Sequence, residues 1–262
     1  MRQIKIYFFI FSFLLLVINT LSAQEGTRNT ATSSGELIGK IMLIPFEPKL
    51  YMSEIDMKIN QQTKWNFEQI RENFRHQLDA QLKSKLQSIG SVVSFYSDSL
   101  KTFKDLNYMY KSTRLAVDLI DKPSQSNTPE KKQSGIKNGQ IEVEVSTDKK
   151  FMTTKINDNE VLPFFTNKYK SEYFVFVNEL DIKSVPDSYI ISTDSYLREI
   201  SVHYTIIDKS GKTISAGIVA SRFSSKENNP KKIVAACFVP IATTISTKLS
   251  DITNPKPATP KK

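Results

Sequence analysis

The sequence predicts an α/β fold with an α+β tendency: a mixed sheet of about five strands packed by long helices, with a C-terminal hairpin and a terminal helix. Three observations lead there. The stretch Ile41-Met42-Leu43-Ile44 is apolar without alternation, as a strand covered on both faces requires. Beyond it, strand-like and helix-like periods alternate as far as Ile120. Near the end, two alternating runs over residues 197–207 and 213–223 flank the turn sequence Asp208-Lys209-Ser210-Gly211-Lys212.

Taken in order, the first strand ends at Pro45, which offers no amide to a ladder. Residues 47–62 read as a polar loop carrying Tyr51-Met52. A helix is predicted over residues 63–89. Phe67, Ile70, Phe74, Leu78, Leu82, Leu86 and Ile89 form its apolar stripe, and Trp65 reads as a staple at its start. Glu68, Arg71, Glu72, Arg75, Asp79, Lys83 and Lys85 form the opposite face, expected to be solvated, with acids early and lysines late to suit the helix dipole. Gly90 supplies a left-handed close. Residues 91–96 read as a short strand, and Ser99 opens a second helix whose stripe is Phe103, Leu106, Tyr110, Val117 and Ile120.

Residues 122–139 lack periodicity and read as a flexible insertion. Residues 140–145 alternate and are expected to pair with 151–156 as a small hairpin, so that insertion and hairpin together span 122–158. A short helix over 159–169 leads into 173–183, whose opening Tyr-Phe-Val-Phe-Val places it centrally in the sheet. In the last hairpin, Asp208 and Gly211 fit a type I turn closed by a glycine bulge. Asn229-Pro230 starts the terminal helix as N-cap and first residue. Its stripe is Val234, Cys237, Ile241, Ile245, Leu249 and Ile252, and Pro240 is expected to kink or open it.

Arg2 and Lys5 precede an apolar run over residues 6–18, and Leu21-Ser22-Ala23 offers a small residue for cleavage. This is the layout of a signal peptide over 1–23, and the run is short for a membrane span. The mature chain is expected to be periplasmic or secreted, with no integral span. No cysteine follows the run, so no lipid anchor is expected. Cys237, the single cysteine, reads as a small buried residue in a helix stripe. Residues 24–36 read as a disordered lead-in, 37–253 as one domain, and 254–262 as a basic disordered tail. The net charge is +9, but most of that excess sits in the leader, the insertion and the tail, which leaves the core near +2. Basicity therefore lies off the core, which argues against nucleic acid as a partner and for an anionic surface or acidic partner.

This order of elements, behind a leader and opening on a strand that ends Ile44-Pro45-Phe46, resembles the envelope proteins grouped with the curli secretion protein CsgG, the lipoprotein LpoB and the TolB amino-terminal domain. The chain also looks like uncharacterised exported proteins of Bacteroidetes-type bacteria. The resemblance covers most of residues 40–252. It implies a non-enzymatic exported interaction protein, an assembly or accessory factor of a cell-envelope complex, with an envelope protein or a second copy of the chain as partner.

Chemistry is sparse. The two histidines are His76 and His203, and no His-x-x-x-His, Cys-x-x-Cys, Gly-x-Ser-x-Gly or phosphate-cradling glycine loop is present. No cofactor is expected. His76 reads as a polar residue flanking a helix stripe. One constellation remains: Glu179 and Asp181 share a face near the C-terminal end of the central strand, where open α/β sheets bind ligands. His203 lies on the Ser201/Thr205 face of the next strand. Two carboxylates and an imidazole suit metal binding or acid and base work. They support the alternative of an envelope hydrolase, a metal-dependent enzyme or a small-ligand-binding module. The plainer expectation is that the strand end emerges into water and leaves these side chains solvated. Dispersal of the three beyond about 4 Å would remove the enzyme reading.

Overall fold

The computed structural model describes residues 38–119 and 150–253, with the short pairs 136–137 and 140–141. The leader, the lead-in, most of the insertion and the tail from Asn254 lie outside the described residues. The strands are β1 (Lys40–Ile44), β2 (Tyr51–Ser53), β3 (Ser91–Ser94), β4 (Thr113–Leu119), β5 (Ile136–Lys137), β6 (Gln140–Ile141), β7 (Lys150–Ile156), β8 (Ser171–Ser184), β9 (Leu197–Asp208) and β10 (Thr213–Ser224). The helices are α1 (Asp56–Thr63), α2 (Phe67–Leu86), α3 (Ser99–Ser112), α4 (Val161–Tyr169) and α5 (Pro230–Thr253).

The main sheet runs β10-β9-β8-β1-β3. β3, β1 and β8 are parallel, whereas β9 runs antiparallel between β8 and β10, so the sheet is mixed. β8 is its spine, as the continuous apolar opening of that strand predicts. Its first half pairs with β1 and its second half with β2, while β9 follows it on the other side. One face of the sheet is covered by α2 and α5. Ile70, Phe74, Leu78, Leu82 and Leu86 meet Ile41, Leu43, Val175 and Val177 there, joined by Ile241, Ile245 and Leu249. Each such side chain contributes about 1.5 to 3 kcal/mol by burial, before the entropy of ordering is subtracted. On the other face, α3 and α4 cover Met42, Ile44, Phe174 and Phe176, and an antiparallel ribbon of β4 and β7 covers the half nearer β9.

The final hairpin forms as predicted. Asp208 Oδ1 accepts from the backbone amides of Ser210 and Lys212, Gly211 takes φ +88°, and the register shifts at the start of β10. Asn229 caps α5, and the turn Val234–Phe238 before Pro240 widens to a π-helix. Proline at 240 has no amide to give back to the preceding turn, which accounts for the local opening. By length and composition α5 could cross a membrane, but it packs Cys237, Ile241, Ile245 and Leu249 into the core.

Four local expectations are corrected. The helix expected over 63–89 runs only over Phe67–Leu86, and the expected loop over 47–62 holds β2 and the separate helix α1: Lys64 is left-handed at φ 66° and ends α1, and Asn66 starts α2 by a capping box with Gln69. Phe67 is thereby left 60 % exposed, outside the core. Asp79 is not solvated but 3 % exposed, accepting from Ser94 Oγ at 2.7 Å and Ser97 Oγ at 2.6 Å, because the turn after β3 brings its hydroxyls against α2. The second helix stops at Ser112. Leu115, Val117 and Leu119 alternate, and that period of two, rather than a helical stripe, governs β4. Finally, β7 pairs along its length with β4 and not with Gln140–Ile141, and residues 142–145 of the expected hairpin lie outside the described residues. Gln140–Ile141 pairs with Ile136–Lys137 instead.

Candidate functional site

Alternation along β8 breaks at Asn178. Val175 and Val177 face the helix-covered core, and so do Leu180 and Ile182. Passing from odd to even positions without leaving the same face requires one extra residue, and the register with β9 jumps from Val177 opposite Tyr204 to Glu179 opposite His203. This β-bulge aims the second half of β8. An unbroken strand would direct Glu179 and Asp181 at the apolar helix layer; the bulge turns them toward the β4–β7 ribbon.

The bulged residue also fastens that ribbon to the sheet. Asn178 is 2 % exposed. Its Nδ2 donates to the Met152 carbonyl at 2.7 Å and to Thr205 Oγ1 at 2.8 Å, while its Oδ1 accepts from Thr154 Oγ1 at 2.7 Å. The Thr154 amide donates to Thr205 Oγ1 at 3.0 Å, and the Met152 amide to His203 Nδ1 at 2.9 Å. Main-chain and hydroxyl groups buried between two sheet layers thus satisfy one another, as burial demands.

Glu179, Asp181 and His203 converge beneath this seam. One donor atom from each lies within 4.8 Å of the others, and His203 Nε2 stands 3.9 Å from Glu179 Oε1. The three residues are 7 %, 8 % and 6 % exposed, so the expectation of a solvated strand end is overturned. The ribbon, whose pairing depends on residues far away in the chain, is what covers them. Burial pushes the Glu179 carboxyl up to about 7, helped by the charge of Asp181. Burial also lowers the pKa of His203, against the pull of the Asp181 charge.

The Met152 amide decides what the imidazole can do. Because Nδ1 accepts a hydrogen bond, it is bare, and the neutral ring carries its proton on Nε2, the nitrogen that faces Glu179. Coordination of a metal at Nε2 would require both ring nitrogens to be bare. The donor set therefore does not fit a metal held by all three residues; it offers two carboxylates and a hydrogen-bond donor. Nor is a serine paired with the imidazole. Ser201, the only hydroxyl side chain among the cavity-lining residues, donates to Glu199 Oε1 at 3.4 Å rather than to His203.

A cavity of about 580 Å³ opens on this cluster. Glu179, Asp181 and His203 form its polar wall, and Val117, Phe151, Met152 and Ile218 its apolar one. Lys183 Nζ lies 3.6 Å from Asp181 Oδ2, and Glu199 is held by Arg222 at 2.8 Å. Asp181 Oδ1 is buried and has no hydrogen-bond partner among the described residues.

Of the residues singled out in the sequence, Glu179, Asp181 and His203 come together. His76 is exposed beside Tyr96 and belongs to no site, and Cys237 is buried in the core. Asn178, Met152, Thr154 and Thr205 were missed. Their one signal is the switch of apolar parity from Val175 and Val177 to Leu180 and Ile182, with a polar residue between.

Fold and site define a mixed α/β protein with a carboxylate and histidine cluster buried at a cavity between two sheet layers. No family model matches the chain, and no curated protein does. Among solved structures it is similar to the lipoprotein GNA1162 from Neisseria meningitidis, at 9 % identity over 81 % of this chain and 99 % of that one, with a TM-score of 0.35. It is also similar to the hypothetical protein CT253 from Chlamydia trachomatis, at 11 % identity over 83 % and 99 % of the two chains, with a TM-score of 0.38. At these scores nothing about role passes from either to this chain.

Proposed function

We propose that this chain is an exported protein of the cell envelope that works by binding a protein partner, as an assembly or accessory factor, and not by catalysis. The observation that carries this reading is an ordered apolar tip between β8 and β9. Ile191 is 86 % exposed and Tyr189 61 % exposed, with Ile190 beside them. The tip is held in shape: Ile190 and Ser195 bridge, Tyr189 Oη donates to Asp194 Oδ1 at 2.6 Å, and Asp194 is left-handed at φ 47°.

Exposed apolar side chains on a pre-shaped loop favour a contact, because each contributes about 1.5 to 3 kcal/mol when covered and little ordering remains to be done. Met52 and Met57 are exposed at the same end of the sheet, where Glu54 bonds to β8 through Ile182 and Ser184. The leader-like start and the resemblance in strand order support the envelope setting. A photo-reactive residue placed at 191 in the intact chain tests the reading in cells. The expected result is a discrete protein adduct in the envelope fraction, absent when Tyr189→Asp is added and the melt is unchanged. A chain that stays in the cytoplasm, or an adduct indifferent to Tyr189→Asp, would refute it.

A further inference from the structure

We infer that the cavity between the β4–β7 ribbon and the sheet binds an organic ammonium, a primary amine on an apolar stem, with Glu179 and Asp181 holding the charged head. This site is separate from the apolar tip and does not depend on it.

Asp181 is 8 % exposed, and among the described residues its Oδ1 has no hydrogen-bond partner although it borders a cavity of about 580 Å³. That volume is in the range that takes small molecules. A carboxylate oxygen removed from water without a donor is unfavourable, so the site calls for one. Two carboxylates exclude an anionic ligand. A metal held by the whole cluster is excluded by His203, whose Nδ1 is occupied by the Met152 amide. An ammonium brings three donors and a positive charge and needs no imidazole lone pair. The apolar wall of Val117, Phe151, Met152 and Ile218 then receives the stem.

Among the described residues, the cations near the cluster do not fill this place. Lys183 Nζ stands at 3.6 Å from the other oxygen, Oδ2, on a half-exposed side chain; Lys150 on β7 is exposed, and Arg222 on β10 is engaged with Glu199. With no ligand, the neighbour able to donate to Asp181 is Glu179 itself, whose carboxyl keeps its proton up to about pH 7. An arriving ammonium replaces that proton. Binding on the acid side of neutrality therefore releases one proton per ligand, and His203, its Nδ1 held by the Met152 amide, faces Glu179 from 3.9 Å.

The test is calorimetric titration of the intact chain with hexylamine and with 2-phenylethylamine, at pH 6 and pH 8, in two buffers of different ionisation heat. Hexanol, hexanoate and Zn²⁺ serve as separate probes. Both amines are expected to bind about tenfold more tightly at pH 8 than at pH 6, following the ionised fraction of a group with a pKa of about 7. Proton release should appear at pH 6 as a buffer-dependent heat. Glu179→Gln should still bind, more weakly and with no pH dependence over that range, and Asp181→Asn should lose binding while keeping its melt. The proposal is overturned if neither amine binds, if hexanol or hexanoate binds as well as hexylamine, if Asp181→Asn binds normally, or if Zn²⁺ binds and is lost with His203→Ala.

Discussion

Replacing Asn178 by alanine removes the fastening between the ribbon and the sheet in one step. The side chain makes three hydrogen bonds of 2.7 to 2.8 Å, to the part-buried Met152 carbonyl and to the buried Thr205 Oγ1 and Thr154 Oγ1. A buried hydrogen bond contributes about 1 kcal/mol net, and each group left unpaired costs about 1 to 3 kcal/mol. Some of that loss is recovered, since Thr205 Oγ1 keeps the Thr154 amide and the Thr153 hydroxyl as partners. The expected destabilisation is therefore about 3 to 4 kcal/mol. Urea unfolding followed by circular dichroism measures it. A double-mutant cycle of Asn178→Ala with Thr205→Val should show coupling of about 1 kcal/mol, because the two side chains touch. The His203 ring-proton resonance should move as well, since the Met152 amide that holds Nδ1 lies on the released strand. A loss below about 1 kcal/mol with no coupling, outside the range for buried networks, would refute the view that this bulge holds the ribbon in place.

Three further outcomes are expected. Phe74, fully buried and edge-on to Phe238 at 5.7 Å, should cost about 3 to 5 kcal/mol as Phe74→Ala in the same urea assay, and a milder loss would mean that α2 is not a main support of the core. Asp79→Ala should destabilise by about 2 kcal/mol by stranding the hydroxyls of Ser94 and Ser97, whereas Asp79→Asn, which keeps an acceptor, should lose about half as much; equal losses would count against a hydrogen-bonding role. Stability should fall as pH rises from 6.5 to 8. The Glu179 pKa is higher in the fold, about 7, than its ordinary 4.5, so its contribution is complete in acid and lost through about pH 7, whereas His203, lowered in the fold, acts only below about 6.5. Urea midpoints across that window should decline in the wild type and flatten in Glu179→Gln, and an unchanged slope in the variant would assign the effect to another group.

Elements whose causes lie within a few residues were legible in the sequence. The stripe from Ile70 to Leu86, the turn made by Asp208 and Gly211, the Asn229 cap and the break near Pro240 each depend on neighbours one or two turns away. The central place of β8 was legible too, because an apolar run covered on both faces leaves its mark in composition. The state of Thr113–Leu119 was not. Its apolar positions extend a helical stripe as easily as they alternate, and the choice was made by β7, more than thirty residues on. The burial of Glu179 and Asp181 was hidden for the same reason. Their own strand says only that they share a face. Whether that face meets water or a second layer depends on a ribbon closed by distant pairing and joined to the sheet through Asn178, Thr205 and His203, and those long-range contacts are the physical cause of the site.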